Sequence, residues 1–365
     1  MPNHIDYSQY KTWQFCKWAW YEKYVLGRRK RWPNNMRDDA LAIGSMVHAG
    51  LENWYKNADF TIPQEVVDKI NPTPEALRLC RSLVYGYIQT YPRENWELIR
   101  CEQPLRFKLI EGRDGLAKID MYFYVPEELR VESGVPGYEI TLRPGWWIQE
   151  YKTKSQSTGF AEWMRSWTTN MQADFQMLAL GEQIRKGFVE NVDIPNKMPT
   201  QVNGLLVNVL DKPSIYVPKR KCPECSEYFN YSAWVPAEEG LFACPYGHKK
   251  KLKPLDMEKE QAQPNYFRVI VERTAEQLDV SKYQIAKVVG EMSEMEVWGE
   301  RCADLPLTRI QALSEDFPPN KEHCMNLGAK WAQECEFFRP HTYGISTLDN
   351  IEYEDTEDYV GEVVA

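Results

Sequence analysis

The sequence predicts an α/β fold in which helices cover a central, largely antiparallel sheet. Three observations lead to this prediction. Segments with helical periodicity come first, and stretches that alternate apolar and polar residues follow at 104–110 and 115–125. A further helical segment at 170–187 then separates strand-like runs at 146–154 and 204–210. Helix and strand patterns interleaved in this way are typical of an α/β core.

The remaining elements follow from the same patterns. The N-terminal third carries three predicted helices, at 10–27, 40–57 and 73–91. The first is crowded with aromatic side chains, which we interpret as core packing. A last strand is predicted at 265–273, and the chain from Thr274 onward is predicted to be mostly helical before it ends in an acidic tail.

Composition limits the class of protein. Hydrophobic residues make up 43% of the 365 positions and include thirteen Trp, which is ample for a packed interior. No run approaches the roughly 18 apolar residues that a membrane span requires. The N-terminus, MPNHIDYSQY, lacks the basic-then-apolar order of a signal peptide, so we expect a cytoplasmic protein. The nine cysteines are then expected to be thiols or metal ligands.

The net charge of −9 is unevenly distributed. Basic clusters occur at 28–31, 219–221 and 249–251, whereas the tail from Leu348 carries seven acidic residues and no basic one. We expect this tail to be disordered and solvated. Because the tail accounts for seven of the nine net negative charges, the overall charge does not exclude a nucleic-acid partner.

The stretch IQEYKTKS places Glu150 and Lys152 two residues apart on a predicted strand, so both side chains point to the same face. Asp120 ends the run AKID on an earlier strand. If the two strands pair, the two carboxylates can converge on a hard divalent cation such as Mg²⁺, with Lys152 beside it. A solvated Glu–Lys pair with an unrelated aspartate fits the spacing equally well.

Two further features bear on this hypothesis. Gly44 and His48 lie four residues apart on one face of the second predicted helix, where the histidine could reach a metal and the glycine would leave room for close approach. Gln172 lies on the helix that follows Lys152, where its amide could contact a substrate backbone. A core histidine and an ordinary buried glutamine are the alternatives.

In this order, the residues resemble a known family. GxxxH, an aspartate that ends a strand, ExK and a helix that opens with Gln are similar to the RecB-like branch of the PD-(D/E)XK nucleases, which includes phage and CRISPR-associated exonucleases. The opening FCKWAWYEKYVLG resembles that branch too. The resemblance covers residues 8 to about 210 and resumes near 265. It implies a PD-(D/E)XK core, with a central mixed sheet flanked by helices, in a bacterial or phage-infected cell.

The resemblance also implies an activity and a set of site residues. The activity is metal-dependent cleavage of DNA phosphodiester bonds, usually from free ends, in recombination, repair or processing. Mg²⁺ or Mn²⁺ would be held by His48, Asp120 and Glu150. Lys152 would assist the attacking water, and Gln172 would contact the substrate. For the DNA backbone, we predict contacts from the basic cluster Arg28, Arg29, Lys30 and Arg31.

The sequence departs from the family pattern at two places. The motif that opens with Gln172 commonly continues as QxxxY, whereas here position 176 is Gln176 and the neighbouring aromatic is Phe175. The segment between Asp120 and Glu150 is also long, and we expect it to form an excursion at the sheet edge. The first departure leaves the role of Gln172 in substrate contact open.

Four potential ligands of a second metal lie between the strands at 204–210 and 265–273. Cys222 and Cys225 form CxxC, and Cys244 and His248 form CxxxH, with 18 residues (226–243) between the pairs. Soft ligands at this spacing are the set that tetrahedral zinc prefers. We therefore predict a zinc ribbon inserted in a β-hairpin, and its zinc should be structural because four protein ligands leave no open position.

The family resemblance raises an iron–sulfur cluster as well. Many RecB-like nucleases bind one with a Cys near the N-terminus and three near the C-terminus. Cys16 matches the first position, and the other candidates are Cys302, Cys324 and Cys335. Their spacing, 21 residues (303–323) and then 10 (325–334), is looser than the family's C-terminal group. We therefore expect these cysteines to be thiols.

The predicted organisation is a nuclease core in two parts, 1–212 and 265–346, a zinc-ribbon insertion at 213–264 and an acidic tail at 347–365. The expected partner is DNA that is single-stranded or has free ends. A separate helicase or recombination protein is a second expected partner. No GxxxxGK[ST] motif is present for unwinding. The alternatives are a structure- or site-specific endonuclease of the same fold and a non-catalytic DNA-binding assembly module. RNA as the substrate also stays open.

Overall fold

A computed structural model gives the architecture of this chain. It describes residues 4–30, 39–92, 96–155, 160–187, 202–213, 220–226, 228–229, 235–236, 241–244, 246–248, 264–301 and 353–355. The strands are β1 (His4–Asp6), β2 (Arg28–Lys30), β3 (Glu97–Ile110), β4 (Arg113–Val125), β5 (Leu129–Glu132), β6 (Glu139–Leu142), β7 (Gly145–Ser155), β8 (Val202–Lys212), β9 (Arg220–Lys221), β10 (Tyr228–Phe229), β11 (Val235–Pro236), β12 (Phe242–Ala243), β13 (Asn265–Glu272) and β14 (Tyr353–Asp355).

The helices are α1 (Tyr7–Phe15), α2 (Lys17–Trp20), α3 (Asp39–Asn57), α4 (Gln64–Ile70), α5 (Pro74–Thr90), α6 (Phe160–Thr168), α7 (Met171–Arg185) and α8 (Ala275–Arg301). A π-helical turn at Tyr21–Val25 continues α2. Among the described helices, none is both long and apolar enough to cross a membrane.

A mixed sheet forms the centre of the molecule. Its order is β1-β4-β7-β8-β13, with β3 also paired to β4. The β3–β4, β4–β7 and β8–β13 pairs are antiparallel, while β1–β4 and β7–β8 are parallel. The parallel β7–β8 pair requires a crossover, which α6 and α7 supply. The predicted α/β class and the predicted main strands are therefore confirmed.

Helices cover both faces of the sheet. The side chains of β7 alternate between the two faces: Trp147 and Tyr151 join the core beneath α3 and α5, whereas Trp146 and Ile148 join the core beneath α7. Fully buried aromatic side chains on both faces of one strand require cover on both sides. The strand that carries Glu150 and Lys152 is thereby fixed from above and below.

Several elements differ from the sequence predictions. The first helix is interrupted, because Cys16 adopts an extended conformation (φ −159°, ψ 112°) between α1 and α2. The segment between Asp120 and Glu150 contains the β5–β6 hairpin. Val131, Ile140 and Leu142 of that hairpin are buried in the core beneath α3 and α5, so it is more than an excursion at the sheet edge. Strand β1 and helices α4 and α6 were not predicted.

One short segment of the acidic tail belongs to a strand. Tyr353–Asp355 form β14, which pairs antiparallel with β2, and the register places Glu354 opposite Arg29 and Asp355 opposite Arg28. Only 353–355 of the tail are described, and the disorder expected for 347–365 stays a prediction. Backbone ladder hydrogen bonds join the two segments.

Candidate active site

The candidate site lies at the point where strands β4 and β7 stop pairing and diverge. Their pairing runs from Val125 and Gly145 to Met121 and Gln149. At the next residue, the Oδ2 atom of Asp120 accepts a hydrogen bond from the backbone N–H of Tyr151 at 2.8 Å. A carboxylate thus takes the place of a ladder carbonyl. This substitution anchors Asp120 and opens a cleft beside Glu150.

Helix α3 brings His48 to this point. The Nδ1 atom of His48 is 3.2 Å from Oδ1 of Asp120 and 3.9 Å from Oε1 of Glu102 on β3. One ligand atom from each of the three residues lies within 4.8 Å of the other two, so the group could hold a metal ion. The structure therefore brings His48 and Asp120 together, and it adds Glu102, which the sequence analysis missed.

The backbone at Glu102 explains how that side chain reaches the cleft. Its φ of 51° is in the left-handed region, and the flanking β3–β4 pairs are Cys101–Met121 and Gln103–Ile119. A non-glycine residue in this conformation is strained. The carboxylate also forms an ion pair with Lys118, whose Nζ lies 2.5 Å from Oε2. No sequence pattern signals such a local distortion.

The histidine and its aspartate shift each other's protonation. Burial alone would lower the pKa of His48, but the Asp120 charge and the hydrogen bonds to Asp120 and Glu102 raise it to about 10. Burial would likewise raise the pKa of Asp120, yet the neighbouring His48 charge holds it below the usual value. The pair is thus an imidazolium–carboxylate contact, and a metal ion would have to replace its proton.

Glu150 is almost completely buried and is held through both oxygens. Its Oε1 atom accepts a hydrogen bond from Nε2 of Gln172 at 2.8 Å and lies 2.5 Å from Nζ of Lys152. Its Oε2 atom accepts one from Nε2 of Gln176 at 2.7 Å. Burial and the nearby Asp120 raise the pKa of Glu150 against the opposing effect of Lys152. Among the described residues, Glu150 does not join the His48 group but lies beside it.

Lys152 remains charged in this setting. Burial would lower the pKa of Lys152, but the Glu150 and Asp120 carboxylates outweigh that effect and raise it. Its ammonium group also lies 5.7 Å from the ring centre of Trp167 on α6. The chemistry open to this lysine is therefore that of a fixed positive charge and hydrogen-bond donor.

Helix α7 presents the side-chain amides of Gln172 and Gln176 to Glu150 because these two residues lie one turn apart. Asn170 caps the helix by accepting the N–H of Gln172. On another side of the helix, Asp174 accepts hydrogen bonds from Arg273 and from Ser281 of α8. Phe175 packs against Tyr7, Tyr10 and Phe107 in the core, so it does not stand in for the tyrosine of QxxxY.

The opposite face of β7 is locked by a buried polar network. Nε2 of Gln149 donates to the Tyr151 and Tyr87 hydroxyls at 2.7 and 3.1 Å. Asn208 on β8 accepts from Tyr87 and from the buried Arg268, whose guanidinium lies 3.7 Å from the ring centre of Tyr91. Tyr151 packs in the core, as predicted. The network fixes the backbone that carries Glu150 and Lys152.

The cleft around these groups has a volume of about 1100 Å³. Helices α3 and α4 supply its outer wall. The lining residues with charged side chains are Lys69, Lys118, Lys152, Lys212, Glu52, Glu65, Glu102, Asp120 and Glu150, together with His48. Four lysines therefore face five carboxylates around one opening.

The surroundings of Gly44 and Arg28 differ from those predicted. A Cβ added to Gly44 would lie 4.0 Å from Oγ1 of Thr153, which is an ordinary contact, so close packing does not require this glycine. Arg28 forms an ion pair with the buried Glu22 at 3.0 Å and is absent from the cleft lining. Its neighbours Arg29 and Lys30 lie on β2 beside β14, and Arg31 lies outside the described residues.

The predicted zinc ligands come together. Ligand atoms of Cys222, Cys225, Cys244 and His248 all lie within 4.8 Å of one another, so the group could hold a metal such as zinc. Burial acts to raise the pKa of Cys222, but backbone N–H groups of Cys225 and Glu224 and the adjacent thiols lower it to about 7. The group lies between β8 and β13, which pair as antiparallel neighbours.

Of the four candidate iron–sulfur ligands, the described residues include one, Cys16. Cys16 is buried with Trp13, Trp18 and Trp20 in the aromatic core around α1 and α2. Cys302, Cys324 and Cys335 lie outside the described residues.

No family model and no curated protein matches the chain. Among solved structures, the chain is similar to the crystal structure of a putative exonuclease from Eubacterium rectale, with 12% sequence identity and a TM-score of 0.41. The match covers 80% of this chain and 81% of that one.

Proposed function

We propose that the protein is a metal-dependent deoxyribonuclease of the RecB-like PD-(D/E)XK type, acting as an exonuclease in DNA recombination, repair or processing. One observation carries the proposal. His48, Glu102 and Asp120 offer ligand atoms within 4.8 Å of one another, at the edge of a cleft that also contains the buried Glu150–Lys152 pair.

The donor set suits a hard divalent cation. Two carboxylates and one imidazole, with Glu150 beside them, match the preferences of Mg²⁺ or Mn²⁺ better than those of a thiophilic metal. When bound, such an ion polarises a phosphate oxygen and lowers the pKa of a water molecule. His48, Glu102 and Asp120 would hold it, and Glu150, which lies beside them, would be the further ligand.

Lys152 supplies positive charge at a fixed position. Its raised pKa keeps the ammonium group protonated, so its role is to orient the phosphate and attacking water and to offset charge that develops on the phosphate. A lysine in this state is a poor proton acceptor. Gln172 and Gln176 hold Glu150 in place on the other side.

The lysines that line the cleft are better placed for the nucleic-acid backbone than Arg28, which pairs with Glu22. Lys69, Lys118 and Lys212 surround the opening. Counting Lys152 and the protonated His48, the charged groups that line the cleft sum to 4 + 1 − 5 = 0, and a divalent cation that replaces the His48 proton changes this to +1. Phosphate binding should therefore depend on the cation and weaken with salt.

The Cys222, Cys225, Cys244 and His248 group would hold a structural zinc ion within an insertion at 213–264. That division, with a nuclease core at 1–212 and 265–346, is part of the same proposal. The closed set of four ligands supports the structural role.

The direct test is cleavage of end-labelled single-stranded, double-stranded and covalently closed circular DNA with Mg²⁺ or Mn²⁺. We expect linear DNA to be degraded, and the Glu150→Gln and Lys152→Met variants to lose at least about 100-fold in rate. Glu182 of α7 and Lys186, which follows the end of that helix, form a second Glu–Lys ion pair, away from the cleft, at 2.7 Å. The matched variants Glu182→Gln and Lys186→Met should retain activity.

Other outcomes would redirect the proposal. Rapid cleavage of circular DNA would identify an endonuclease instead. Cleavage of RNA in preference to DNA would change the substrate. Full activity in both Glu150→Gln and Lys152→Met would remove the site assignment altogether.

A further inference from the structure

Gln176 stands where the family motif has tyrosine, and the geometry points to it as the residue that positions Glu150 for cation binding. This inference rests on the proposed function, because it takes Glu150 as a ligand. Gln176 is 1% exposed and sits one turn after Gln172 on α7. Its place inside the helix, directly beneath β7, aims the amide at the carboxylate.

The two oxygens of Glu150 are held unequally. Oε1 has two donors, Gln172 at 2.8 Å and Lys152 at 2.5 Å. Oε2 has a single donor among the described residues, Nε2 of Gln176 at 2.7 Å. Losing Gln172 therefore leaves Oε1 with Lys152, whereas losing Gln176 leaves Oε2 with no donor from the described chain. Lys152 and Gln172, which hold Oε1, line the cleft, whereas Gln176 does not, so Gln176 fixes the carboxylate from the side away from the opening.

Gln176 is itself fixed from a second direction. The other hydrogen of its amide group points to the backbone carbonyl of Lys118, at 3.3 Å, two residues before Asp120. One amide therefore links the strand of Asp120 to the carboxylate of Glu150. Its Oε1 atom is buried and has no donor among the described residues. This unsatisfied acceptor is a cost that packing alone would avoid by placing an apolar residue here.

A hydrogen-bonded partner behind a metal ligand commonly changes metal affinity or activity by about 10- to 100-fold. A tyrosine at position 176 has one O–H group and could donate one hydrogen bond, whereas the amide nitrogen of Gln176 can donate two. We expect Gln176→Met, which keeps the length and removes both donors, to weaken Mn²⁺ binding by about 10- to 100-fold. Gln172→Met should weaken it less, because Lys152 still holds Oε1.

The experiment measures Mn²⁺ binding by calorimetry on the full-length protein, with thermal unfolding of each metal-free variant. Gln183→Met is the matched control. Gln183 lies on the same helix and its Nε2 donates to the carbonyl of Arg106 at 2.6 Å, so this variant loses a similar hydrogen bond without touching Glu150. We expect it to bind Mn²⁺ like the wild-type chain. Gln176→Asn, which withdraws the amide by one methylene, provides the same test if Gln176→Met does not fold.

The possible results separate the two proposals. The role of Gln176 would be overturned if the wild-type chain binds Mn²⁺ and Gln176→Met, or Gln176→Asn in its place, binds it with an affinity within twofold of the wild type. The proposed function would then still stand. An equal loss in Gln183→Met would do the same, since the effect would then be one of general stability. A wild-type chain that binds no Mn²⁺ in this cleft would overturn both proposals.

Discussion

Glu102 illustrates how a single residue can trade stability for a place in the site. Its φ of 51° is a conformation that side chains other than glycine rarely adopt. In this conformation the Glu102 carboxylate lies beside His48 and Lys118. Strain of this kind persists where the surrounding structure determines it, and it gathers at functional sites.

Replacing Glu102 by glycine should separate these two effects. Glycine relieves the backbone strain by about 1 kcal/mol, so the free energy of unfolding should stay the same or rise despite the lost ion pair with Lys118. Mn²⁺ affinity should fall by at least about tenfold. Chemical denaturation and calorimetry measure the two quantities.

The control for this variant is Ala58→Gly. Ala58 has a φ of 55° at the end of α3 and does not line the cleft. It should gain about as much stability from glycine and bind Mn²⁺ unchanged. If Glu102→Gly bound Mn²⁺ as tightly as the wild-type chain, Glu102 would not be a ligand.

At the scale of elements, α8 closes the molecule over the aromatic N-terminal segment and α7. Ile285, Val289 and Met292 of α8 are fully buried in that core. The helix contains two glycines in different surroundings. A Cβ on Gly299 would lie 1.9 Å from the Tyr21 hydroxyl oxygen, whereas a Cβ on Gly290 would have no neighbour within 4 Å.

The two glycines predict opposite effects of the same substitution. Gly299→Ala should lower the free energy of unfolding by about 1–3 kcal/mol, because the Tyr21 ring is buried and cannot move aside cheaply. Gly290→Ala should raise it by about 0.5–1 kcal/mol through helix propensity. Equilibrium denaturation of both variants provides the check. A loss of stability in Gly290→Ala would show that this face of α8 is packed in solution.

At the scale of the whole molecule, the sheet and the candidate zinc group are separable. β8 and β13 pair along eight residues, Asn265 to Glu272 against Asp211 to Gly204, irrespective of what lies between them. The four candidate ligands lie in that intervening segment and are held together by short local elements. Metal binding should therefore organise the insertion and not the core.

Removal of the metal should test this separation. Cys244→Ser, or treatment with a strong chelator, should remove one zinc ion per chain and increase proteolysis within 213–264, while the main thermal transition stays in place. Cys80→Ser is the control, because Cys80 is buried in the core beneath α5 and should leave the zinc content unchanged. Equal zinc content in Cys244→Ser and the wild-type chain would exclude this ligand group.

The sequence alone predicted the features that depend on local pattern. Alternation and helical periodicity identified the main strands and helices, because side-chain burial repeats every 2 or 3.6 residues. Fixed spacing identified Cys222, Cys225, Cys244 and His248, which are close in the chain. The order of the motifs along the chain and their residue types identified His48, Asp120, Glu150, Lys152 and Gln172. All five line one cleft in the structure.

The tertiary structure decided what depends on distant segments meeting. Glu102 enters the cleft through a local backbone distortion, Gln176 reaches Glu150 across the helix–sheet interface, and Lys69 and Lys212 line the opening from α4 and the end of β8. Arg28 is instead engaged with Glu22. A linear pattern records residue type and spacing, but charges and carboxylates acquire their partners only when the strands and helices pack.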